Sequence, residues 1–500
     1  MKRRFISLFL CIGLLMSGCG PVEENPVNQE ETELVSMNPE PDLSYEVPVA
    51  VPHILVDQVG YPTGGVKTAI FSGNDLPEEF QVIDAQTGEV VYEGPVKEKE
   101  REGAAEDYIA YGDFSDVTQT GTYYLQSSVF GRSYEFIIGD DVYDSLYQES
   151  IELLGERQTK KINVVLPDKE GEKVEKIVQG GWLTDEAGNQ DLKVAAEVMM
   201  VLLTAYELYP ASFEDSATTT SNPPKLLKYI KQQTEWMQML QDESSGGVYG
   251  GILVESEAAV STYRMSRVDE EASACYAAAL AKFSHIYKKY DQEYAAACLK
   301  AADRAWKYIE KQAKSTTINR ESALQEILFC AAAELYRASG QQVYHLPVRE
   351  ILEVGITPGE TEWATYGTIT YLTTRHYVDV SHCDVIMKQL MSCAEEISAS
   401  ARASAYLTEG NAECNNTKEL LWNMVILSVA DYVITNHEYA TVIENHQHYF
   451  LGGNPKALCL VKEEGCDGIH PEGEGIQDDL QMMAYYICML SHITCRKDEL

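Results

Sequence analysis

The spacing of apolar residues changes once along this 500-residue chain, near residue 141, and that change constrains the architecture more than any other feature. Between residues 52 and 140 the apolar segments are short and β-rich: ILVDQVGY, KTAIFSG, FQVIDA, EVVYEG, GTYYLQSS and SYEFIIG. Gly, Asp and Asn interrupt them at intervals of about ten residues, the pattern of a small antiparallel sandwich. From residue 142 to 500 the pattern is helical. DLKVAAEVMMVLLTAYEL, EEASACYAAALAKFSHIYKKY, ESALQEILFCAAAELYRAS and DDLQMMAYYICMLSHI repeat apolar residues every three or four positions. About a dozen such segments predict a body built only of helices. Their alanine content suits a toroid of antiparallel helix pairs. Periodicity alone does not separate this from a helical solenoid, but no fixed-period repeat is present, which argues against the solenoid.

The first twenty residues, MKRRFISLFLCIGLLMSGCG, carry Lys2, Arg3 and Arg4 ahead of an apolar core from Phe5 to Met16. That core is short for a bilayer span and reads as a secretory signal over residues 1–19. Ser17-Gly18-Cys19 resembles a bacterial lipobox, with Met16 at the usual Leu position. Cys19 is therefore expected to be lipidated and to anchor the exported protein at the cell surface. Residues 20–51, rich in Pro, Glu and Asn, predict a solvated tether. The terminal Lys497-Asp498-Glu499-Leu500 has the form of a retrieval signal; beside a lipobox it is read as incidental. No other segment is long and apolar enough to cross a membrane.

Lys plus Arg total 39 against 78 Asp plus Glu, a net charge of −39. Such a surface repels nucleic acid and anionic lipid and suits a neutral partner such as a polysaccharide. Of 12 cysteines, ten fall between Cys275 and Cys495, several on apolar helix faces, and none forms a CxxC pair. They read as buried free thiols, with Cys459 and Cys466 the best-placed disulfide pair. No metal or cofactor motif appears; the acidic composition permits a structural calcium without supplying an EF-hand spacing. His446 and His448 have ligand spacing but read as surface or packing residues.

Longer stretches resemble glycoside hydrolase family 9, the inverting cellulase family, in its form with an N-terminal immunoglobulin-like domain. They are 54-ILVDQVGYPTGGVKTAIFSG-73, 114-FSDVTQTGTYYL-125, 269-DEEASACYAAALAKFSHIYKKYDQEYAAACLKAADRAW-306 and 449-YFLGGNPKALCLV-461. The resemblance spans residues 52–500. It implies an all-β immunoglobulin-like sandwich over residues 52–140 followed by an all-α (α/α)6 barrel over residues 142–500, acting on β-glucan or a related polysaccharide.

The resemblance also locates a site. In the family, GGW is followed by Asp-Ala-Gly-Asp, whose second Asp activates water. Here Gly180-Gly181-Trp182 is followed by 185-DEAGN-189, which places Asn189 at the base position. An amide takes no proton from water at neutral pH. Asp185, Glu186 and Asp191 are the carboxylates nearby, and Asp191 also has the position of a helix cap. Counting back from 480-LQMMAYYICML-490 puts Glu474 at the family's catalytic acid. The His-x-Arg sugar-binding motif is absent, leaving His470 as its remnant. Trp182, Tyr249, Trp363 and Tyr366 are expected to stack on sugar rings, whereas Trp422, inside a helical run, reads as core. The catalytic expectation is Glu474 as acid with Asp185 or Asp191 as base. The other reading of the same residues is a catalytically impaired, glycan-binding surface lipoprotein.

Overall fold

The computed structural model describes residues 51–98, 108–167, 174–257, 260–315, 322–411, 413–434, 437–462 and 475–495. Cys19, the tether, Cys466, His470 and Glu474 lie outside these residues.

The β-rich region forms β1 (Ile54–Leu55), β2 (Gly60–Tyr61), β3 (Thr68–Gly73), β4 (Glu79–Asp84), β5 (Val90–Glu98), β6 (Tyr108–Asp113), β7 (Gly121–Ser127), β8 (Gly131–Arg132) and β9 (Phe136–Ile138). β5 joins two layers: Val90 to Pro95 pair with β4, and Val96 to Glu98 pair with β6. Pro95, with no N–H to give the ladder, stands at the changeover. β1, β3 and β6 make one layer; β4, β7, β9 and β2 make the other. Phe71, Phe80, Val82, Phe114, Leu125 and Phe136 fill the space between them. On the first layer's outer face, Leu55, Ile70 and Ile109 pack against Ala405 and Ala457 of the helical body. Ile70 and Phe71 point to opposite sides of β3, and both sides are covered, so this strand is apolar on both faces.

The helical region contains twelve helices among the described residues. They are α1 (Asp144–Glu156), α2 (Leu192–Leu208), α3 (Lys225–Met239), α4 (Glu270–Tyr287), α5 (Gln292–Ser315), α6 (Ser322–Ser339), α7 (Gln342–Val354), α8 (Glu362–Thr373), α9 (Val380–Ala403), α10 (Thr417–Ile434), α11 (His437–Phe450) and α12 (Leu480–Cys495). The even-numbered helices are buried around most of their circumference, as expected of helices apolar on all sides. α2 packs on α4, α4 on α6, α6 on α8, α10 on α12, and α12 returns to α2. Tyr366 of α8 and Trp422 of α10 meet edge to face at 5.9 Å, which joins the remaining neighbours. The odd-numbered helices pack outside this ring. The alanines of α4 let α2, α5 and α6 approach it closely.

At the C-terminal ends of these inner helices lies a buried ionic cluster. Lys282 Nζ is 2.9 Å from Glu207 and 3.2 Å from Glu334. Arg337 lies 2.6 Å from Glu334 and also pairs with Glu207, and the Thr370 hydroxyl donates to Glu334 at 2.6 Å. Charges so deeply buried are tolerable only when each is paired. A cavity of about 990 Å3 opens beside the cluster, at the end of the ring away from Asp191.

The expectation of helix throughout residues 142–500 is corrected at one place. β10 (Ile162–Val165), β11 (Glu175–Val178), β12 (Gln190–Asp191), β14 (Gly251–Glu257) and β15 (Val260–Met265) form a second sheet in the order β11-β10-β15-β14-β12, beside a small pair, β13 (Val248–Tyr249) and β16 (Val268–Asp269). Its strands are two to seven residues long. The parallel pairing of β10 with β15 joins segments about a hundred residues apart, which no local pattern records. The cysteines agree with the expectation of free thiols: Cys275, Cys298, Cys330 and Cys488 are unpaired and buried. His446 and His448 are packing residues, both buried.

Candidate active site

The glycine-tryptophan segment becomes a braced loop entering α2. Gly181 has φ +86°, and a Cβ there would come within 2.6 Å of the Trp236 ring, so only glycine lets the chain cross that indole. Trp182 is fully buried. Its indole N–H donates to the Leu154 carbonyl at 2.8 Å, and its backbone N–H donates to Gln233 at 3.1 Å. The ring therefore wedges the loop against α1 and is turned away from any sugar. The Gln190 amide donates to the carbonyls of Gly180 and Gly181, each at 3.0 Å. Gln190 and Asp191 pair with Ile252 and Gly251 across the second sheet. A Cβ on Gly251 would meet the Gln190 carbonyl oxygen at 2.2 Å, so this close pairing also needs glycine.

Within the loop, Asn189 is a brace. Its side-chain N–H donates to Asp185 Oδ2 at 2.7 Å, its backbone N–H donates to Asp185 Oδ1 at 2.9 Å, and its Oδ1 accepts from Val254 N–H at 2.8 Å. Partial burial works against the charge on Asp185, but the Asn189 amide and the surrounding backbone N–H groups outweigh it. They hold this carboxyl below its ordinary range. Asp191 caps α2, its Oδ1 accepting from Lys193 N–H at 2.7 Å and Val194 N–H at 3.2 Å. Asp185, Asp191 and Asp269 line one cavity of about 340 Å3 with Lys193 and Arg267. The structure thus brings Asp185 and Asp191 together at the N-terminal ends of α2 and α4. Glu186 is exposed. Gly475, the residue after Glu474, is anchored by its N–H to Asp478 at 2.8 Å, just ahead of α12.

A second carboxylate pair, which the sequence reading missed, begins less than two turns along α2 from the Asp191 cap. Glu197 projects from α2 toward α8, α10 and α12. Its Oε1 accepts from the Tyr485 hydroxyl at 2.7 Å and from the Gln481 amide, whose own Oε1 accepts from Lys418. Glu362, the first residue of α8, lies 3.5 Å from the same Tyr485 hydroxyl. One phenol hydrogen cannot serve two carboxylates at once. Burial first, and then the nearby Glu362 charge, push the Glu197 carboxyl up to about 7. Glu362 sits in the first turn of its helix. The surroundings are aromatic. Trp422 and Tyr485 are 5.6 Å apart, and Trp363 meets Tyr366 edge to face at 6.3 Å. Trp363 is half-buried, while Tyr249 and Tyr366 are buried. Of the four aromatics expected to stack on sugar, Trp363 keeps the most accessible ring. The sequence signal for Glu197 was available: it is the only acid inside LKVAAEVMMVLLTAY, an otherwise nearly apolar run.

Two family models match the chain: Glycosyl hydrolase family 9 over residues 154–467, and Cellulase N-terminal ig-like domain over residues 50–131. A cellodextrinase of Butyrivibrio fibrisolvens is 24% identical over 482 residues, covering 82% of this chain and 85% of its own length. A xyloglucan-specific endo-β-1,4-glucanase of Bacteroides ovatus is 22% identical, covering 82% and 80%. In three dimensions a solved Bacteroides ovatus GH9 structure superposes with a TM-score of 0.76 at 18% identity, over 89% of this chain and 99% of that one.

Proposed function

The chain belongs to glycosyl hydrolase family 9 and is a glycoside hydrolase, and we propose that it cleaves β-linked glucan at the outer surface of a bacterial cell, with inversion at the anomeric carbon. The observation that carries this reading is the pair of carboxylate groupings at the helix N-termini: Asp185, Asp191 and Asp269 line one cavity at α2 and α4, and Glu197 of α2 shares the Tyr485 hydroxyl with Glu362 at the start of α8. The relatives named for cellodextrins and xyloglucan support a β-glucan as substrate. The closed order of even-numbered helices supports an (α/α)6 barrel packed on the immunoglobulin-like sandwich. The signal, the lipobox cysteine Cys19 and the polar tether hold the enzyme off the membrane, where polymeric glucan reaches it.

Inverting hydrolysis needs an acid on the leaving oxygen and a base on a water across the sugar ring, roughly 6.5–9.5 Å apart. Glu474 is the acid in this reading, and one of the carboxylates of the ring mouth is the base. Trp363 is a platform for the ring of the bound sugar.

The test is reducing-sugar release by residues 20–500 from soluble cellulose derivatives, mixed-linkage glucan and xyloglucan, with Glu474→Gln alongside. Release that Glu474→Gln abolishes without unfolding supports the reading. Turnover retained in that variant removes Glu474 from the mechanism, and no release on any glucan removes the proposal.

A further inference from the structure

We infer that Glu197, on α2 where it faces α8 and α12, is the residue that takes the proton from the attacking water. The inference rests on the hydrolase reading above. Each loop aspartate is engaged in holding backbone N–H groups. Both oxygens of Asp185 are held by Asn189, and Asp191 has its Oδ1 committed to two helix N–H groups. Asn189 itself has no basic lone pair to offer.

Glu197 braces no loop and caps no helix; side chains alone hold it. Its Oε1 is positioned by Tyr485 and Gln481, while its Oε2 accepts no hydrogen bond among the described residues. The carboxylate is therefore fixed in direction with one oxygen open. A second observation points to an occupant. The Tyr366 hydroxyl is fully buried, lies within electrostatic reach of Glu197, Glu362 and Tyr485, and finds no partner among the described residues. A buried hydroxyl left unmatched is costly, and a water or sugar hydroxyl between it and the carboxylates would satisfy it. Trp363 on the same helix supplies an aromatic edge to the space.

The step balances. As the water oxygen bonds to the anomeric carbon, the Glu197 carboxylate accepts its proton. The bond from that carbon to the leaving oxygen breaks as Glu474 donates a proton to it. Glu197 then returns its proton to solvent and Glu474 regains one.

The charged and titratable groups around Glu197 set its response to pH. They are Glu362 and Tyr366 from α8, Lys418 from α10, Tyr485 from α12 and Cys275 from α4. Glu362 raises the basicity of Glu197 by repulsion, and Lys418 opposes it.

The experiment is kcat and kcat/KM of residues 20–500 on a soluble β-glucan from pH 4.5 to 9, for the wild type, Glu197→Gln and Glu362→Gln, with and without sodium azide. Thermal melts check folding. The expected result is a kcat loss of roughly a thousandfold in Glu197→Gln, little change in KM, and partial recovery with azide, a nucleophile that needs no base. The wild-type kcat/KM is expected to fall below pH about 7, and Glu362→Gln should move that limb to lower pH. A folded Glu197→Gln that keeps the wild-type kcat overturns the inference and leaves the hydrolase reading standing. If Glu197→Gln does not fold, a limb unmoved in Glu362→Gln overturns it. A folded wild type that releases nothing from any glucan removes both readings.

Discussion

Two glutamates on one helix show how far position decides chemistry at the scale of a residue. Glu197 and Glu207 both belong to α2. Burial and the like charge of Glu362 push the first up to about 7. Burial would also push the second up, but Lys282 and Arg337 overcome it and pull Glu207 down to about 2. The signs of their contributions to stability are opposite. Folded Glu197 keeps its proton between pH 4.5 and about 7, where the unfolded chain has lost it. Its contribution is therefore full below pH 4.5 and is lost as pH rises to about 7, by up to about 3 kcal/mol. The Glu207 contribution is present above pH 4.5 and is lost as pH falls through about 2. Denaturant unfolding between pH 4.5 and 7.5 should show a falling stability that Glu197→Gln flattens. Glu207→Gln should cost about 3–5 kcal/mol at neutral pH, because it leaves Lys282 and Arg337 underpaired in a buried place. Asn189→Asp tests the loop at the same scale. It restores the family's residue type but sets a second carboxylate against Asp185, now 2.7 Å from the Asn189 amide. Denaturant unfolding should register a loss of about 1–2 kcal/mol, and no gain in hydrolysis is expected.

At the scale of an element, the loop and α2 depend on one cap and one close strand pairing. Asp191→Ala removes the cap, and a loss of about 1 kcal/mol is expected in denaturant unfolding. Gly251→Ala acts differently. Its Cβ collides with backbone, the Gln190 carbonyl, which no side-chain rotation relieves. That variant should displace β12 from β14 and reduce hydrolysis far more than it reduces stability. Activity and melting measured together distinguish the two. This part of the site was only half legible beforehand. GGW and the acids after it marked a loop before a helix. The strand that braces the loop, β14, was hidden because its partners are distant in sequence and its runs are short. The role of Trp182 was misread for a related reason: a Trp beside two glycines looks the same whether it faces a cleft or seals a loop against α1.

For the whole molecule, sandwich and helices share a polar joint as well as an apolar one. Asp57 is fully buried. It accepts from the N–H groups of Val59 and Gly60, both at 2.9 Å, and from the Tyr143 hydroxyl at 2.8 Å, while His448 on α11 lies 3.1 Å away. The DQVGY segment that marks the sandwich's start is thus a hinge pin between domains. Calorimetry should show a single unfolding transition for residues 51–500. Asp57→Ala, which strands several buried donors, should split it into two or lower it sharply.

The elements were legible in the chain alone: which stretches are short and β-rich, which repeat every three or four residues, and where glycines and caps interrupt them. These follow from local backbone geometry and the burial of apolar area, both of which leave periodic traces. The tertiary structure alone decided which acids work together. Glu197, Glu362 and Tyr485 come from three helices far apart in the chain. The same holds for the open oxygen of Glu197, and for Asn189, which ties up Asp185. A carboxyl's basicity depends on its solvation and on charges a few ångströms away; these are properties of packed space, and linear order does not carry them.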